Sequence, residues 1–397
     1  MAKGIKDEPY SEESQDIDLE EFRAKLNSSL EGVEDPRASD NQTYQFESLI
    51  GITLCAIIAG ANGISDIHHY AISKRDWLSS WLDLSSEIPS YTTFWWLLVR
   101  MDPNQTERLF RTWLKSLNEA ELKEVIAIDG KRVKGASKKR SKSILHMVSA
   151  WSSARGLILG QLKTHEKSNE ITAIPELIDS LDITGAVITS DAMGCQTAIA
   201  QKIIDKGSDY VIGLKGNQGA LHDEVINYYE QAKAVDFKDV PVAHYQSVDK
   251  GHGRLEERSI YVTSDIDWLP MREDWAGLES IVMIDSKRTA GEKISRETRY
   301  YITSLDPNPE RIARTIRSHW GIENCVHWVL DVTFQEDASQ ISTGNAAENL
   351  SILRRLSLNI LRLDSDKKTS LVAKRKKAGW DNAYMTKILK SGCINSF

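Results

Sequence analysis

The chain has 397 residues, with 50 Lys and Arg, 57 Asp and Glu and a formal net charge of −7. Twelve acids and five bases lie in residues 1–40, so the excess of negative charge is confined there and the remaining 357 residues are neutral overall. The net charge therefore does not exclude a polyanionic partner, because the field that binds one acts locally. The four cysteines form no C-x-x-C pair, which excludes a standard zinc ribbon.

The first 120 residues are predicted to consist of an acidic arm followed by a helical domain. Residues 1–40 form this arm, which is expected to be flexible and to contain one short helix around residues 17–30. Residues 41–120 are rich in Leu, Ile and Trp and are expected to form a helical DNA-binding domain, although a plain helical bundle has the same composition. Their segment IPSYTTFWWLLVRMDP (88–103) has clear helix start and stop signals and is the predicted reader of DNA.

An apolar run at residues 49–64 raises the question of a membrane span. The run lacks charge for sixteen residues, whereas a helix needs roughly twenty apolar residues to cross the bilayer. Its glycines and Asn62 favour a buried helix instead. We therefore expect no membrane partner.

From about residue 121 the pattern changes to short β-branched runs bounded by Gly, Ser or Asp. Five such runs occur before residue 219. The segments between the third and fourth runs and between the fourth and fifth runs have apolar residues at helical spacing. The five runs are, in order, EVIAIDG, LHMVSAWSS, LILGQLKTH, AVITSDAMG and DYVIGLKGN. The order β-β-β-α-β-α-β predicts an α/β protein with a mixed sheet flanked by helices, and residues 121–218 are the first part of this core.

Three further segments are predicted after residue 218. Residues 219–301 break the pattern and are expected to be a β-rich insertion. Residues 302–365 return to the core with two helical patterns, at 308–332 and 344–363. Residues 366–397 hold a second cluster of bases and are expected to form a basic C-terminal tail.

Two aspartates stand where neighbouring strands end. Asp129 ends the first strand and Asp191 ends the fourth, and in this strand order the first and fourth strands lie side by side. Neighbouring carboxylates repel each other, so a site that keeps both ionised usually holds a cation. Glu323 in HWGIEN is the preferred third acid, which would complete an all-oxygen cage suited to Mg²⁺ or Mn²⁺. The other candidates for the third acid are Asp331, Glu336 and Asp337, and each aspartate taken alone could be an ordinary acid at a turn.

A cluster of bases follows Asp129 directly. It comprises seven Lys and Arg in twelve positions, namely Lys131, Arg132, Lys134, Lys138, Lys139, Arg140 and Lys142. We expect this cluster to lie along DNA phosphates, the alternative being a solvated loop. Lys215 ends a central strand, where an unpaired Lys is costly, so it is expected to face the site, with a structural ion pair as the alternative.

Several segments resemble those of the DDE transposases of bacterial insertion sequences. They are IDGK, TSDAMGCQ, DYVIGLKGNQ and RSHWGIEN, in this order along the chain. The group of H-repeat-associated transposases is most similar, and the resemblance covers nearly the whole chain, because IPSYTTFWWLLVRMDP and EDASQISTGNAAENLSILRRLSLNIL also resemble its helical segments. The resemblance implies an RNase H-like catalytic core in which Asp129, Asp191 and Glu323 are the metal-binding catalytic acids.

The resemblance also implies a reaction and its partners. Two Mg²⁺ or Mn²⁺ ions would serve the cleavage of DNA at the element ends and the transfer of the cut strand into a target. Double-stranded DNA would be the partner, bound by a homodimer in the bacterial cytoplasm and associated with the nucleoid. The alternatives are a structure-selective nuclease of the same fold and a domesticated DNA-binding protein without the chemistry.

The helix that carries Glu323 departs from related transposases, which have a Tyr–Arg–Glu–Lys signature. The residue four before Glu323 is His319 instead of Arg, and the residue seven after it is Leu330 instead of Lys. His319 is expected to donate to a DNA phosphate, although it is only partly charged at neutral pH. Trp320 and Trp328, eight residues apart on one face of this helix, are expected to pack in the core, with base stacking as the alternative.

Overall fold

The computed structural model describes residues 19–37, 42–84, 87–115, 124–135, 145–164, 170–251 and 253–393. Within these residues nine strands form one mixed sheet. They are β1 (Val125–Val133), β2 (Leu145–Ser152), β3 (Ile158–Lys163), β4 (Val187–Ser190), β5 (Asp209–Leu214), β6 (Ala243–Gly251), β7 (Arg254–Thr263), β8 (Ser280–Ala290) and β9 (Lys293–Thr303). Their order across the sheet is β3-β2-β1-β4-β5-β9-β8-β7-β6.

Helices precede the sheet, flank it and follow it. The N-terminal helices are α1 (Glu20–Leu30), α2 (Phe46–Ala59), α3 (Ile64–Ser73), α4 (Arg75–Ser79), α5 (Tyr91–Arg100) and α6 (Pro103–Lys115). The next are α7 (Glu170–Asp179), α8 (Thr197–Asp205), α9 (Gly219–Ala234) and α10 (Pro309–Gly321), and α10 continues through a π-helix (Ile322–His327) into α11 (Trp328–Val332). The C-terminal helices are α12 (Ala346–Leu363), α13 (Leu371–Trp380) and α14 (Asn382–Ser391).

The order β-β-β-α-β-α-β predicted from the sequence is confirmed, and with it the RNase H-like mixed sheet flanked by helices. β1, β4 and β5 are parallel, whereas β2 runs antiparallel to β1. β1 lies beside β4, with Ile128 opposite Ser190, as the strand order predicted. All four residues of β4 are buried, which explains why apolar and polar residues do not alternate along this strand.

The helices cover two faces of the sheet. Ile126 and Ile188 pack with side chains of α7 and α8 on one face, whereas Val187 and Val211 pack with side chains of α10 on the other. Because successive side chains of a strand point to opposite faces, Asp129 belongs to the face that α10 covers. α10 therefore brings its own residues to the same side of the sheet as Asp129.

The stretch predicted as a β-rich insertion, residues 219–301, forms α9, β6, β7, β8 and most of β9. These strands continue the central sheet, because β9 pairs antiparallel with β5, with Ile212 opposite Ile302. Buried Tyr229 of α9 donates its hydroxyl hydrogen to the carbonyl of Ile281 in β8 (2.8 Å), which fixes the helix on the sheet. The insertion is thus an extension of the sheet that holds the acids.

α1 and the helices α12, α13 and α14 pack together in one helical core. In α1, Phe22, Leu26 and Leu30 recur at helical spacing and are buried, which confirms the short helix expected around residues 17–30 and places it in this core. α13 and α14 replace much of the predicted basic tail, because α14 buries an apolar face against α12. Buried Lys374 of α13 pairs with Asp364 at 2.8 Å, so one base of the second cluster serves packing.

The N-terminal helices are part of the same core. α2, α5 and α6 pack against α12, and α2 also packs against α13. Buried Asn349 of α12 donates to the carbonyls of Leu98 and Met101 (2.9 and 2.8 Å) and accepts a hydrogen bond from the hydroxyl of Thr106 (2.6 Å). These contacts join the predicted DNA-binding region to α12, so the two share one hydrophobic core.

Among the described residues, no single helix is both long and apolar enough to cross a membrane. α2 and α3 together meet the criteria of length and composition, but the pair is bent by 97°. Residues 49–58 of α2 are buried inside the protein, as predicted for this part of the apolar run.

Candidate active site at the edge of the sheet

Asp129 and Asp191 meet at one edge of the central sheet. β1 and β4 are parallel with Ile128 opposite Ser190, so the residues that follow on both strands are neighbours. Asp191 directly follows β4 and accepts a hydrogen bond from the backbone N–H of Met193 (2.9 Å), which orients its carboxylate. The two aspartates predicted from the sequence are therefore brought together.

A third carboxylate, Glu170, joins this pair. It is the first residue of α7, and ligand oxygens of Asp129, Glu170 and Asp191 lie within 4.8 Å of one another. We call these three residues the acid cluster. Oε1 of Glu170 is also 3.1 Å from Nε2 of His146. Glu170 was not predicted, since its sequence signal is no more than an acid at the start of the helix after the third strand.

A glycine makes room for Glu170. A Cβ atom at Gly130 would lie 2.1 Å from Oε1 of Glu170 and 2.7 Å from Nε2 of His146. Both distances are too short for a side chain at this position, so any residue other than glycine would displace the Glu170 carboxylate and the His146 ring from their positions. The sequence Asp-Gly at this strand thus has a steric reason.

Burial and the neighbouring carboxylates raise the pKa of both aspartates. Burial, followed by the charges of Asp191 and Glu170, raises the pKa of Asp129 to about 7. Burial and Glu170 also raise the pKa of Asp191, against hydrogen bonds from the N–H groups of Met193 and Gly194. Carboxylates this close repel one another unless a cation lies between them. A donor set made of carboxylate oxygens suits Mg²⁺ or Mn²⁺, so the residues of the acid cluster fit a hard divalent ion.

Glu323, the predicted third acid, lies at the margin of the acid cluster. It stands on the π-helix that joins α10 to α11, exposed to solvent. After burial and the two nearer acids, its charge is a further cause of the raised pKa of Asp129. Short π-helical turns are frequent at functional sites, where they re-aim side chains. The charge of Glu323 therefore acts on Asp129, but Glu170 is the acid whose oxygen comes within 4.8 Å of both aspartates.

The other candidates for the third acid, Asp331, Glu336 and Asp337, bind a base instead. Nζ of Lys131 is 2.6, 3.2 and 3.3 Å from their carboxylate oxygens, respectively. Glu336 is fully buried and also pairs with Arg355 at 2.9 Å. Burial raises the pKa of Glu336, but Arg355 and Lys131 outweigh it and lower this pKa to about 2. These three acids neutralise buried bases, and they are not members of the acid cluster.

The structure contradicts the predicted DNA contact of Lys131. Its side chain is 5% exposed, and three acids surround its ammonium group. Strand alternation is the reason, because Lys131 points to the same covered face of β1 as Asp129. Arg132 points to the other face and is exposed, as is Lys134 beyond the strand, whose Nζ lies 3.2 Å from Asp337.

The remaining predicted DNA-binding bases fall into two groups. Lys138, Lys139, Arg140 and Lys142 lie in residues 136–144, outside the described residues, so their contact with DNA stays a prediction. Lys215 is exposed at the end of β5. Burial and Glu170 raise the pKa of Asp191, and the charge of Lys215 offsets part of that rise. Lys215 is thus near the acid cluster, while its predicted contact with a phosphate stays a prediction.

His319 and Leu330, which replace the Arg and Lys of the related signature, supply no positive charge. Nδ1 of His319 is 3.0 Å from Oγ1 of Thr189 on β4. Burial lowers the pKa of His319 to about 4, so the ring is neutral at pH 7 and the expected partial charge is wrong. Leu330 is fully buried. A contact of His319 with DNA would therefore be a hydrogen bond between a neutral ring and a phosphate.

Trp320 and Trp328 do not pack in the core, contrary to the prediction. Their side chains are 44% and 58% exposed. The helical segment buries Ile316, Ile322 and Val326 instead, so its apolar stripe lies on a different side from both tryptophans. Spacing alone could not show this, because the π-helix between them shifts the faces of α10 and α11 relative to each other.

The chain is similar to known proteins along most of its length. Residues 120–360 match the family described as "Transposase DDE domain", and residues 27–114 match the one described as "DDE_Tnp_1-associated". "Putative transposase YncI" of Escherichia coli O157:H7 is 38% identical over 366 residues, 90% of this chain and 93% of that protein. "H repeat-associated putative transposase YhhI" of Escherichia coli (strain K12) is 36% identical over 372 residues, 92% of this chain and 97% of that protein. The solved structure "Cryo-EM structure of piggyBac transposase synaptic complex with hairpin DNA (SNHP)" aligns with a TM-score of 0.44 and 11% identity, over 93% of this chain and 78% of that chain.

Proposed function

The chain belongs to the DDE transposase family of enzymes, which cleave and transfer DNA strands, and from this premise we propose its specific activity. It binds the ends of an insertion sequence, cuts the DNA there and joins the cut strand to a target. Asp129, Asp191 and Glu323 are the catalytic acids. The observation that carries this proposal is the meeting of Asp129 and Asp191 on neighbouring strands, with the helical segment of Glu323 packed across them.

Divalent metal use follows from the family, and we propose two Mg²⁺ or Mn²⁺ ions held by these acids. When bound, such ions lower the pKa of the attacking water or 3′-hydroxyl and stabilise charge on the phosphate. Asp129 is held in place by β1, which pairs with both β2 and β4. Asp191 is held by the N–H of Met193. Carboxylates fixed on strands in this way are pre-organised for the reaction, which is more precise than placing them on free loops.

We place the DNA backbone along the bases on both sides of the acid cluster. Arg132 and Lys134 are exposed at the end of β1, and residues 136–144 follow them with four further bases. Lys215 is exposed at the end of β5, which lies on the far side of β4 from β1. A phosphate chain that passes the acids would meet positive charge before and after the reacting bond.

We further propose that the chain acts as a homodimer on DNA. An insertion sequence has two ends, and the described residues hold one acid cluster per chain. Two subunits would therefore provide one active site for each end. The DNA is expected to be that of the bacterial nucleoid, in the cytoplasm.

Incubation of the full chain with Mg²⁺ and DNA from the flanks of its own gene tests this function. We expect a cut at the element end that leaves a free 3′-hydroxyl, followed by joined products whose junctions are mapped by sequencing. Cleavage without joining would indicate a structure-selective nuclease. Binding without cleavage would indicate a DNA-binding protein that has lost the chemistry.

α5 is the proposed reader of the end sequence, because part of its surface is exposed. Trp96 is 40% exposed, and the guanidinium of exposed Arg100 lies 4.0 Å from its ring. We expect Arg100→Ala to lower the affinity for end DNA by about fivefold to a hundredfold, since a specific contact of Arg with a base is worth ~1–3 kcal/mol. Affinity for scrambled DNA should stay at the wild-type level. Fluorescence anisotropy at physiological salt measures both affinities.

Lys115→Ala is the matched control, because Lys115 is an exposed base at the end of the neighbouring α6. It should bind both DNAs like the wild type. An equal loss on end and scrambled DNA in Arg100→Ala would mean that Arg100 contacts phosphates, and no loss on either would remove it from the interface. The full chain is used because α5 shares its core with α12.

A further inference from the structure

Glu170 reaches the active site from the opposite side of the sheet to Glu323. α7 packs with Ile126 and Ile188 on one face, whereas α10, which leads to Glu323, packs with Val187 on the other. Nevertheless the Glu170 carboxylate passes over Gly130 and comes within 4.8 Å of both aspartates. The two aspartates therefore have one acid on each side of them.

We propose that Glu170 is a fourth metal-binding carboxylate of this active site, sharing one divalent ion with Asp129 and Asp191. This inference rests on the proposed function, and it assigns a role to a residue that the three-acid signature does not contain. Oxygens bound to one Mg²⁺ lie at most about 4.2 Å apart, twice the ligand distance of about 2.1 Å. The spacing of up to 4.8 Å in the acid cluster comes close to that limit, and a small side-chain rotation closes the difference.

A structural role explains Glu170 less well. His146 approaches Oε1 at 3.1 Å, but a carboxylate has a second oxygen and further acceptor positions. An acid kept only for a contact with His146 would not need to lie against two other acids. Three carboxylates whose oxygens lie within 4.8 Å of one another repel each other when no cation is bound. A bound ion turns this repulsion into attraction.

Glu170→Gln separates the two roles, because the amide keeps the size of the side chain and an acceptor for His146 but loses the charge. We expect the Kd for Mn²⁺, measured on the full chain without DNA by electron paramagnetic resonance, to rise about tenfold or more. The Tm in EDTA should be unchanged or higher, because a repelling charge is gone. The increase in Tm that Mn²⁺ produces in the wild type should shrink.

Two further variants complete this experiment. Glu176→Gln removes a charge from an exposed position of the same helix and should keep the wild-type Kd for Mn²⁺. Gly130→Ala places a methyl group where the Glu170 carboxylate lies, without changing any acid, and should also weaken Mn²⁺ binding.

The outcomes distinguish this inference from the proposed function. If Glu170→Gln binds Mn²⁺ like the wild type while Asp129→Asn and Asp191→Asn lose it, Glu170 is not a ligand and the proposed function stands. If Asp129→Asn and Asp191→Asn also bind Mn²⁺ like the wild type, the metal site of the proposed function is wrong. A lower Tm of Glu170→Gln in EDTA with an unchanged Kd for Mn²⁺ would assign Glu170 a structural role only.

Discussion

Replacing Asp129 or Asp191 by Asn, or Glu323 by Gln, is expected to lower the rate of DNA cleavage by about a thousandfold or more. Each change removes the charge of a metal-binding carboxylate without changing the size of the side chain. The metal contributes several kcal/mol of transition-state stabilisation, and each ~1.4 kcal/mol is a factor of about ten in rate. Affinity for end DNA should change by less than about twofold, because it depends on contacts with phosphates and bases elsewhere.

Single-turnover cleavage of labelled end DNA in Mg²⁺ measures the rate, and anisotropy on the same DNA measures the affinity. Glu176→Gln is the matched control, since it removes one acidic charge from an exposed position and should cleave like the wild type. A variant that keeps near wild-type cleavage shows that its acid is not catalytic. A variant that loses DNA affinity in parallel shows a defect in binding instead.

The result for Glu323→Gln has a particular meaning, because Glu323 lies outside the group of oxygens within 4.8 Å. If this variant cleaves and Glu170→Gln does not, Glu170 is the third acid. Glu336 and Asp337 are no longer alternatives, since both bind Lys131. The comparison of the two variants therefore decides between Glu323 and Glu170 when only one of them loses cleavage.

Lys131→Met is expected to lower the free energy of unfolding by about 3 kcal/mol, the lower end of the cost of breaking a buried ion pair. Methionine is similar in length but leaves Asp331, Glu336 and Asp337 without the base they share. Glu336 is fully buried and forms ion pairs with Lys131 and Arg355. In the variant only the pair with Arg355 remains to compensate its charge. Urea unfolding of the full chain, followed by tryptophan fluorescence and circular dichroism together, measures the loss.

Lys134→Met is the matched control for this change. Lys134 is 75% exposed and also pairs with Asp337, so its replacement should cost less than about 1 kcal/mol. Stability near the wild type for Lys131→Met, combined with a loss of DNA affinity, would contradict the structural role. The sequence-based prediction of a phosphate contact would then be right.

The order of the first five strands along the chain and the neighbourhood of the two aspartates could be predicted from the sequence alone. Short β-branched runs alternate with helical spacing, and few strand orders satisfy such a series with short connections. The sequence predicted that Asp129 and Asp191 end neighbouring strands; in the structure Asp129 lies within β1 and Asp191 directly follows β4, and the pairing of Ile128 with Ser190 still makes them neighbours. The same segments carry the resemblance to DDE transposases, because they surround these acids.

The tertiary structure alone decided which charged and aromatic side chains are buried. Lys131 and Arg132 are neighbours in a run of bases, yet Lys131 is enclosed by acids some two hundred residues away and Arg132 is exposed. Glu170 reaches the two aspartates from the first turn of α7. Trp328 is exposed to solvent, because the π-helix that precedes it rotates α11 relative to α10. A local pattern sets the period of each element. The free energy of a buried charge, however, depends on the partners that distant elements bring within a few ångström, and these meet only when the chain packs.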